Sequence, residues 1–143
     1  MFTAILESTI KSKIYHPITG VTNDSRQIKK GDLYVAMNGR YNDGHKFLND
    51  VNENGAAAAL VQKSKANIDI QQLEVTDTVK TLKKLAATWR KNFDIPIIAI
   101  TGSNGKTSSK DLLLHILSDN LFVHATKGNF NTVIGLCFTI FGL

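Results

Sequence analysis

The feature that most constrains this chain is the stretch of residues 97–107, where an apolar run meets a glycine-containing polar turn. Residues 97–100 are apolar and mostly β-branched, which predicts a short buried strand. After the turn, Lys106 and Thr107 open a segment with helical periodicity. A strand, a glycine loop, a Lys-Thr pair and a helix in this order are typical of a phosphate-binding loop.

The chemistry of such a loop explains why these residue types follow one another. Glycine permits a tight turn that brings backbone N–H groups close to phosphate oxygens. The first turn of the helix adds unpaired N–H groups and the positive end of the helix dipole. Lys106 can place its charge between the terminal phosphates, and the Thr107 hydroxyl is placed to ligate Mg²⁺.

One position departs from the standard phosphate-loop pattern. The pattern G-x-x-x-x-G-K-[ST] places its first glycine where this chain has Ile100, and the loop glycine is instead Gly102. The alternative interpretation is an ordinary strand-to-helix turn with a solvated Lys106. The agreement of strand, glycines, Lys-Thr pair and helix favours the phosphate loop.

Length and charge bound the possible partners. The 143 residues are enough for one ordinary domain or two small ones, and the formal net charge is +5. Residues 77–143 carry eight Lys/Arg against four Asp/Glu, whereas residues 1–76 carry nine against eight. A mildly basic second half suits an anionic substrate. We expect no nucleic-acid partner, because the sequence shows no arginine-rich run and no aromatic-basic interleaving.

The cysteine content and the N-terminus predict a cytoplasmic protein. Cys137 is the only cysteine and lies in an apolar stretch, so a buried, inert thiol is expected and no disulfide can form within the chain. The first residues lack the basic region and long apolar core of a signal peptide. The apolar runs are too short to span a membrane, so no membrane insertion is expected.

Residues 1–76 are predicted to form a small α/β module. Its expected elements are strands at 33–37, 56–61 and 73–75 and a helix near 46–54, with Gly55 as the residue that ends the helix. Asp24, Ser25 and Arg26 offer an acceptor, a hydroxyl and a guanidinium that could bind a sugar, a uracil edge or a phosphate. The same residues also suit a plain turn with a satisfied aspartate and a solvated arginine. For His45, capping of a backbone group is favoured over a ligand role.

Residues 77–143 are predicted to begin a second, incomplete domain. The expected elements are a helix near 79–93 capped by Asp77 and Thr78, the phosphate loop and its helix, a strand at 121–126, a polar loop and a final helical segment from 133. A parallel sheet is buried on both faces and needs several strands, but this part offers only two. We therefore expect the front part of a larger enzyme, with a free sheet edge and exposed apolar surface.

Several short motifs follow one another along the chain in an order that identifies a family. They are Thr-Asn-Asp-Ser-Arg at 22–26, Gly-Asp-Leu-Tyr-Val-Ala at 31–36, Asp-Gly-His at 43–45, Gly-Ala-Ala-Ala at 55–58, Ile-Thr-Gly-Ser-Asn-Gly-Lys-Thr at 100–107 and Gly-Asn-Phe-Asn-Thr-Val-Ile-Gly at 128–135. The set resembles the Mur ligases, the ATP-dependent amide-forming enzymes of peptidoglycan precursor synthesis. The resemblance covers essentially the whole chain, and it accounts for the missing first glycine because the family's loop looks the same.

The resemblance implies an enzyme of three domains. This chain would hold the N-terminal UDP-substrate module (1–76) and the start of the central P-loop domain with a parallel sheet (77–143). The implied reaction adds D-alanyl-D-alanine to UDP-N-acetylmuramoyl-tripeptide: ATP phosphorylates the substrate carboxylate, and an amine attacks the acyl phosphate, with release of ADP and phosphate. Such an enzyme needs ATP and Mg²⁺ and serves cell-wall biogenesis, cell shape and cell division. The fragment by itself is expected to be inactive.

The resemblance also implies roles for particular residues. The ATP phosphates would be held by Gly102, Ser103, Asn104, Gly105, Lys106, Thr107 and Ser108. Within this set, Lys106 and Thr107 would be the catalytic residues, with Thr107 on the metal. The UDP-substrate site would include Asp24, Ser25 and Arg26, and the cleft would be faced by Asn129 and Asn131. The family tends to show a second asparagine before the isoleucine and a proline after Ile-Gly-Leu, where this chain has Thr132 and Cys137.

Other functions stay open at this level. A different Mur-type ligase or a folylpolyglutamate-synthase-like ligase would share the phosphate loop, although the Asp-Ser-Arg module argues against the folate enzymes. A non-catalytic nucleotide-binding or scaffolding remnant is the alternative from another class. The family's acidic magnesium ligand, modified lysine and adenine-contacting C-terminal parts have no counterpart within these 143 residues.

Overall fold

A computed structural model describes residues 1–39, 42–128, 130 and 132–143. The helices are α1 (Phe2–Ile10), α2 (Leu48–Glu53), α3 (Thr78–Arg90), α4 (Lys106–Ser118) and α5 (Val133–Phe141). The strands are β1 (Gly20–Thr22), β2 (Asp32–Val35), β3 (Ala58–Val61) and β4 (Gln71–Glu74). Two short 3-10 turns lie at Ser25–Gln27 and Gly44–Phe47. The chain is therefore of the α/β class, as the sequence predicts.

The four strands form one parallel sheet in the order β1-β2-β3-β4. The register pairs Leu33 of β2 with Ala58 of β3, and Ala58 with Gln71 of β4. All residues of β2 and β3 are buried, as expected for the central strands of a parallel sheet covered on both faces. The alanine-rich segment before Val61 therefore contains a strand. Its small side chains let the residues that cover the two faces of the sheet pack closely against it.

The sheet separates two apolar cores. On one face, alternate strand residues such as Leu33 and Leu60 pack with Leu6 of α1 and Leu82 of α3. On the other face, a smaller core of strand residues packs with Leu48 and its neighbours on α2. This alternation follows from the period of two along a strand, which sends successive side chains to opposite faces.

Helix α3 begins and ends for identifiable reasons. The Asp77 carboxylate accepts a hydrogen bond from the Lys80 N–H at 2.9 Å, which confirms the predicted N-cap. The helix ends at Arg90, earlier than the sequence predicts. The Arg90 guanidinium donates to the carbonyls of Phe93 and Ile95, so the side chain stabilises the non-helical segment that follows.

The two strands predicted in the second half are wrong. Residues 97–100 and 121–126 have no regular secondary structure. A β-strand needs a neighbouring strand to pair with. Across the described residues, all paired strands belong to the sheet β1-β2-β3-β4, so residues 97–100 and 121–126 have no pairing partner. The expectation of exposed apolar surface is confirmed: Ile97 is 65 % exposed and the Phe122 side chain is fully exposed.

Helix α5 nevertheless packs against the first half of the chain. Phe2 of α1 contacts Trp89 of α3 and Phe141 of α5 edge to face, with ring centroids 5.3 Å and 5.5 Å apart. Cys137 of α5 is buried in the same core, as the sequence predicts. The aromatic edge contacts and the buried thiol fix α5 beside α1 and α3.

Cys137 provides a chemical test of this packing. Burial raises the pKa of its thiol, and the side chain is shielded from solvent, so both effects slow reaction with a disulfide reagent. We expect the folded protein to react with 5,5′-dithiobis(2-nitrobenzoate) at least ~100-fold more slowly than the urea-unfolded protein. Equal rates would show that α5 is not docked as described.

No helix in the described ranges combines the length and the apolarity needed to cross a membrane.

Candidate phosphate-binding loop and flanking site

The turn before α4 depends on two glycines. Gly102 has φ +149° and Gly105 has φ +77°, which are backbone conformations that residues with a side chain rarely adopt. A Cβ atom at Gly105 would meet no other atom within 4 Å. Glycine is therefore required at this position by the backbone conformation, and the space beside it is open for a ligand to approach the backbone.

The first turn of α4 presents backbone donors. Gly105 is the N-cap residue and, within the described residues, no side chain caps this helix. The first intrahelical hydrogen bond runs from the Ser109 N–H to the Gly105 carbonyl at 2.9 Å. The N–H groups of Lys106, Thr107 and Ser108 precede this bond in the helix, so they have no acceptor inside the helix and need one from outside it. Together with the positive end of the helix dipole they suit an anion.

The Lys106 side chain folds over its own loop. Its ammonium group donates to the carbonyls of Gly102 at 2.5 Å and Ser103 at 3.3 Å. The positive charge is thereby held beside the turn and the helix N-terminus. Ser103, Asn104, Thr107 and Ser108 are exposed around it. The set consists of donors and hydroxyls with no carboxylate, so it fits the phosphate groups of a nucleotide such as ATP.

The sequence predicts one protein ligand for Mg²⁺ at this site, Thr107. The hydroxyl of Thr107 is exposed at the start of α4, where it can serve as one hard oxygen ligand for Mg²⁺. Over the part of the chain that the structure describes, His, Cys, Asp and Glu residues do not gather into a group of three or more. The Thr107 hydroxyl and phosphate oxygens together would match the usual magnesium environment.

The sequence interpretation did not single out Lys110, whose ammonium group makes several polar contacts in this region. Its ammonium donates to the carbonyls of Thr126 at 2.9 Å and Gly128 at 3.4 Å, and it lies 3.0 Å from the Asp111 carboxylate. Lys110 and Lys106 share one face of α4 because they are four residues apart. That spacing was visible in the sequence, but the two carbonyl partners lie far away along the chain.

Ser25 and Arg26 begin the 3-10 turn Ser25–Gln27 shortly after β1, and Asp24 is the N-cap of that turn. The Asp24 carboxylate accepts hydrogen bonds from Arg26 Nε at 2.9 Å, Arg26 Nη2 at 2.8 Å and Gln27 Nε2 at 3.0 Å. The Arg26 hydrogen bonds are the main reason that the pKa of Asp24 is lowered to about 2. The structure thus supports the satisfied-aspartate interpretation, while the Arg26 side chain stays 86 % exposed and accessible to a ligand.

The two predicted binding regions have no direct polar contact with each other among the described residues: no hydrogen bond or ion pair joins the Asp24–Arg26 turn to the loop at 102–108. Asn129 and Asn131, the residues predicted to face the cleft, lie outside the described residues.

His45 has a structural role, as the sequence interpretation favoured. Its Nδ1 lies 2.7 Å from the Asp43 carboxylate, and its Nε2 accepts a hydrogen bond from the Gln62 N–H at 3.0 Å. Because Nε2 accepts, the ring proton lies on Nδ1 and is donated to Asp43. The buried ring therefore ties the loop after β2 to the end of β3.

Two carboxylates predict how stability depends on pH. The pKa of Asp24 is lowered to about 2, mainly by Arg26, and the pKa of Asp43 is lowered chiefly by the backbone N–H of His45. A depressed carboxyl pKa contributes stability above the unfolded pKa, and that contribution is lost as pH falls through the folded value. We expect the urea midpoint to fall as pH is lowered from ~4 to about 2. Asp24→Asn should make this decline shallower, and an unchanged profile would contradict the assignment.

Comparison with known proteins shows the family. Residues 17–92 match the catalytic domain of the Mur ligase family. The chain belongs to the Mur ligase family. Residues 100–143, which include the phosphate loop and α5, match the Mur ligase middle domain.

Relatives within the Mur ligases carry a shared name. A protein of Synechocystis sp. named UDP-N-acetylmuramoyl-tripeptide–D-alanyl-D-alanine ligase is 37% identical over 128 residues, which cover 88% of this chain and 28% of the relative. A Bacillus subtilis protein with the same name is 36% identical over 128 residues, with the same coverage of each chain. This chain therefore spans under a third of the length of these Mur ligases.

Solved Mur ligase structures share the fold. MurF from Acinetobacter baumannii superposes with a TM-score of 0.89 at 31% identity, covering 99% of this chain and 32% of that one. MurF from Thermotoga maritima, solved in complex with ADP, gives a TM-score of 0.75 at 35% identity and covers 85% of this chain and 28% of that one. The described fold is thus shared with about a third of each of these MurF chains.

Proposed function

We propose that this chain is the N-terminal portion of a MurF-type ligase, which joins D-alanyl-D-alanine to UDP-N-acetylmuramoyl-tripeptide at the expense of ATP. The relatives named above support the choice of substrates. The proposed binding of ATP is supported chiefly by the geometry at the start of α4. There the backbone N–H donors, the Lys106 ammonium and the Thr107 hydroxyl lie together. The ADP complex of the Thermotoga maritima relative supports the same assignment.

In this proposal the residues of the loop bind and orient phosphates. The backbone of Gly102 to Gly105 wraps the phosphate chain, and the N–H groups at the start of α4 donate to its oxygens. ATP supplies the phosphoryl group that activates the substrate carboxylate. Lys106 releases its loop carbonyls and neutralises charge on the β- and γ-phosphates, while Thr107 ligates Mg²⁺ and Ser108 adds a weaker contact.

The substrate side lies in the first half of the chain. The UDP-substrate module, predicted at 1–76, also includes α3, because Leu82 packs in the same core as the sheet, and the ATP-binding domain begins after that helix. The exposed guanidinium of Arg26, held in place by Asp24, binds the UDP-sugar, and Ser25 supplies a hydroxyl beside it. The proposal also assigns substrate binding to Asn129 and Asn131, which lie outside the described residues. Such an enzyme works in the cytoplasm and contributes to cell-wall formation.

ADP release tests this proposal. Because this chain spans under a third of the length of the relatives named above, we expect residues 1–143 alone to release little or no ADP with UDP-N-acetylmuramoyl-tripeptide, D-alanyl-D-alanine and Mg-ATP. A longer polypeptide that adds the remaining domains of a MurF-type ligase is expected to turn over in the same assay. Robust turnover by residues 1–143 alone would refute the inactivity, and an inactive longer polypeptide would count against the proposed reaction.

A second candidate substrate has its own support. A Syntrophomonas wolfei protein named UDP-N-acetylmuramoyl-L-alanyl-D-glutamate–2,6-diaminopimelate ligase is 38% identical over 109 residues. This match covers 22% of the length of that protein. This enzyme class would share the phosphate loop and the UDP site. Competition between the dipeptide and tripeptide forms of the UDP-substrate separates the two candidates, and the MurF-type proposal predicts tighter binding of the tripeptide form.

A further inference from the structure

Lys110 connects the phosphate-loop helix to a distant segment. Its ammonium reaches two carbonyls, those of Thr126 and Gly128, and an adjacent carboxylate, that of Asp111. Its side chain is only 21% exposed, although α4 has no fully buried residue among those described. A charged group that donates to two carbonyls and pairs with a carboxylate is strongly held.

The segment held by Lys110 is also attached to α5. His124 Nε2 lies 2.7 Å from the Thr139 carbonyl, in the second half of α5. Gly128 has φ +53°, a left-handed backbone conformation that favours glycine. Residues 124–128 are thus anchored to α4 on one side and to α5 on the other.

Helix α5 in turn belongs to the core of the first module. Cys137 is buried among residues of α1, α3 and the sheet, and Phe141 contacts Phe2 edge to face. A continuous path of contacts therefore runs from α4 through Lys110, residues 124–128 and α5 into the module that carries Arg26. Lys106 and Lys110, one turn apart on α4, have different partners: the carbonyls of the phosphate loop for Lys106 and those of the distant segment for Lys110.

We propose that Lys110 is a positioning residue, which fixes the phosphate-loop helix to residues 124–128 and, through α5, to the substrate module. This inference rests on the proposed function, because it assigns to Lys110 the coupling of the nucleotide site to the substrate side. A change at the start of α4 on phosphate binding is then transmitted to residues 124–128 through the Lys110 ammonium, which already holds them. A neutral side chain of similar length cannot hold the two carbonyls, whereas arginine can donate to both.

Backbone NMR of residues 1–143 tests the proposal in two steps. In the absence of nucleotide, order parameters at 124–128 should be near ~0.8 in the unmodified protein and below ~0.6 in Lys110→Met. Lys110→Arg should restore the higher values. Lys127→Met removes a charge from the same segment through an exposed side chain and should leave them unchanged. Equal order parameters in the unmodified protein and Lys110→Met would overturn the proposal.

The second step adds Mg-ATP. We expect amide shifts at 102–108 in every variant, and shifts at Thr126 and Gly128 only where residue 110 is lysine or arginine. Shifts at Thr126 and Gly128 that persist in Lys110→Met would overturn the coupling, because a merely structural residue would not control them. Absence of shifts at 102–108 in the unmodified protein would instead refute the proposed nucleotide site, and the order parameters would still decide the role of Lys110. Slow Cys137 reaction in Lys110→Met shows that the core has kept its fold.

Discussion

Lys106→Ala is expected to weaken Mg-ATP binding by ~10-fold or more without unfolding the protein, because a charge-assisted hydrogen bond contributes about 1.5–3 kcal/mol. Among the described residues, the ammonium lies beside the loop turn and donates to the carbonyls of that loop. Its removal therefore deletes the one side-chain cation of loop 102–108. The side chain is outside both apolar cores, which leaves the sheet intact. Isothermal titration calorimetry with Mg-ATP measures the loss.

Two matched variants make this result specific. Lys84→Ala removes the same charge from an exposed position on α3 and should bind Mg-ATP as the unmodified protein does. Thr107→Val removes the predicted metal ligand, so it should reduce the difference between binding with Mg²⁺ and binding with EDTA while leaving the metal-free affinity nearly unchanged. Binding that survives Lys106→Ala unchanged would show that the phosphate-loop assignment is wrong.

Leu82→Ala is expected to lower the free energy of unfolding by about 2–5 kcal/mol. Leu82 is fully buried on α3, in the core that contains Leu33, Leu60 and Cys137. The alanine leaves a cavity between the helix layer and the sheet, and the surrounding strands can relax only partly. Urea unfolding followed by circular dichroism gives the change, and the Cys137 reaction rate should rise because the same core holds α5.

The neighbouring residue provides the control for this core variant. Lys83 is exposed on the same turn of α3, so Lys83→Ala should change the free energy of unfolding by less than ~0.5 kcal/mol. A loss of stability in Leu82→Ala with unchanged Cys137 reactivity would show that α5 docks independently of this core. Equal stability of the two variants would contradict the described packing of α3.

The sequence predicts best where local signals decide the structure. Asp77 caps α3 through a bond to a residue three positions on, and Gly55 follows α2 with φ +86°, as a residue that ends a helix often does. The alanine-rich segment 56–61 is predicted as a strand from its position after a helix end and its Leu-Val end, against the helical propensity of alanine, and the structure has this strand at Ala58–Val61. In each case the deciding information lies within a few residues of the element itself.

The failures concern interactions between distant residues. Residues 97–100 and 121–126 have the composition of strands, but pairing needs a neighbour, and the described chain places none beside them. Lys110 also contacts residues that are far away in the sequence, Thr126 and Gly128, and no local sequence pattern predicts these contacts. For Asp24, the sequence allowed two roles, and only the geometry shows that Arg26 and Gln27 satisfy its carboxylate.

We propose that the chain carries two half-sites, one for nucleotide phosphates at 102–108 and one for a UDP-sugar around Arg26. The most direct test is an NMR titration of the ¹⁵N-labelled protein with Mg-ATP and, separately, with UDP-N-acetylmuramoyl-tripeptide. From this two-site proposal we expect Mg-ATP to shift the amides of 102–108 together with those of Thr126 and Gly128, and the UDP-substrate to shift those of Asp24, Ser25 and Arg26. Shifts of the same amides by both ligands, or no shifts at 102–108 at millimolar Mg-ATP, would contradict it.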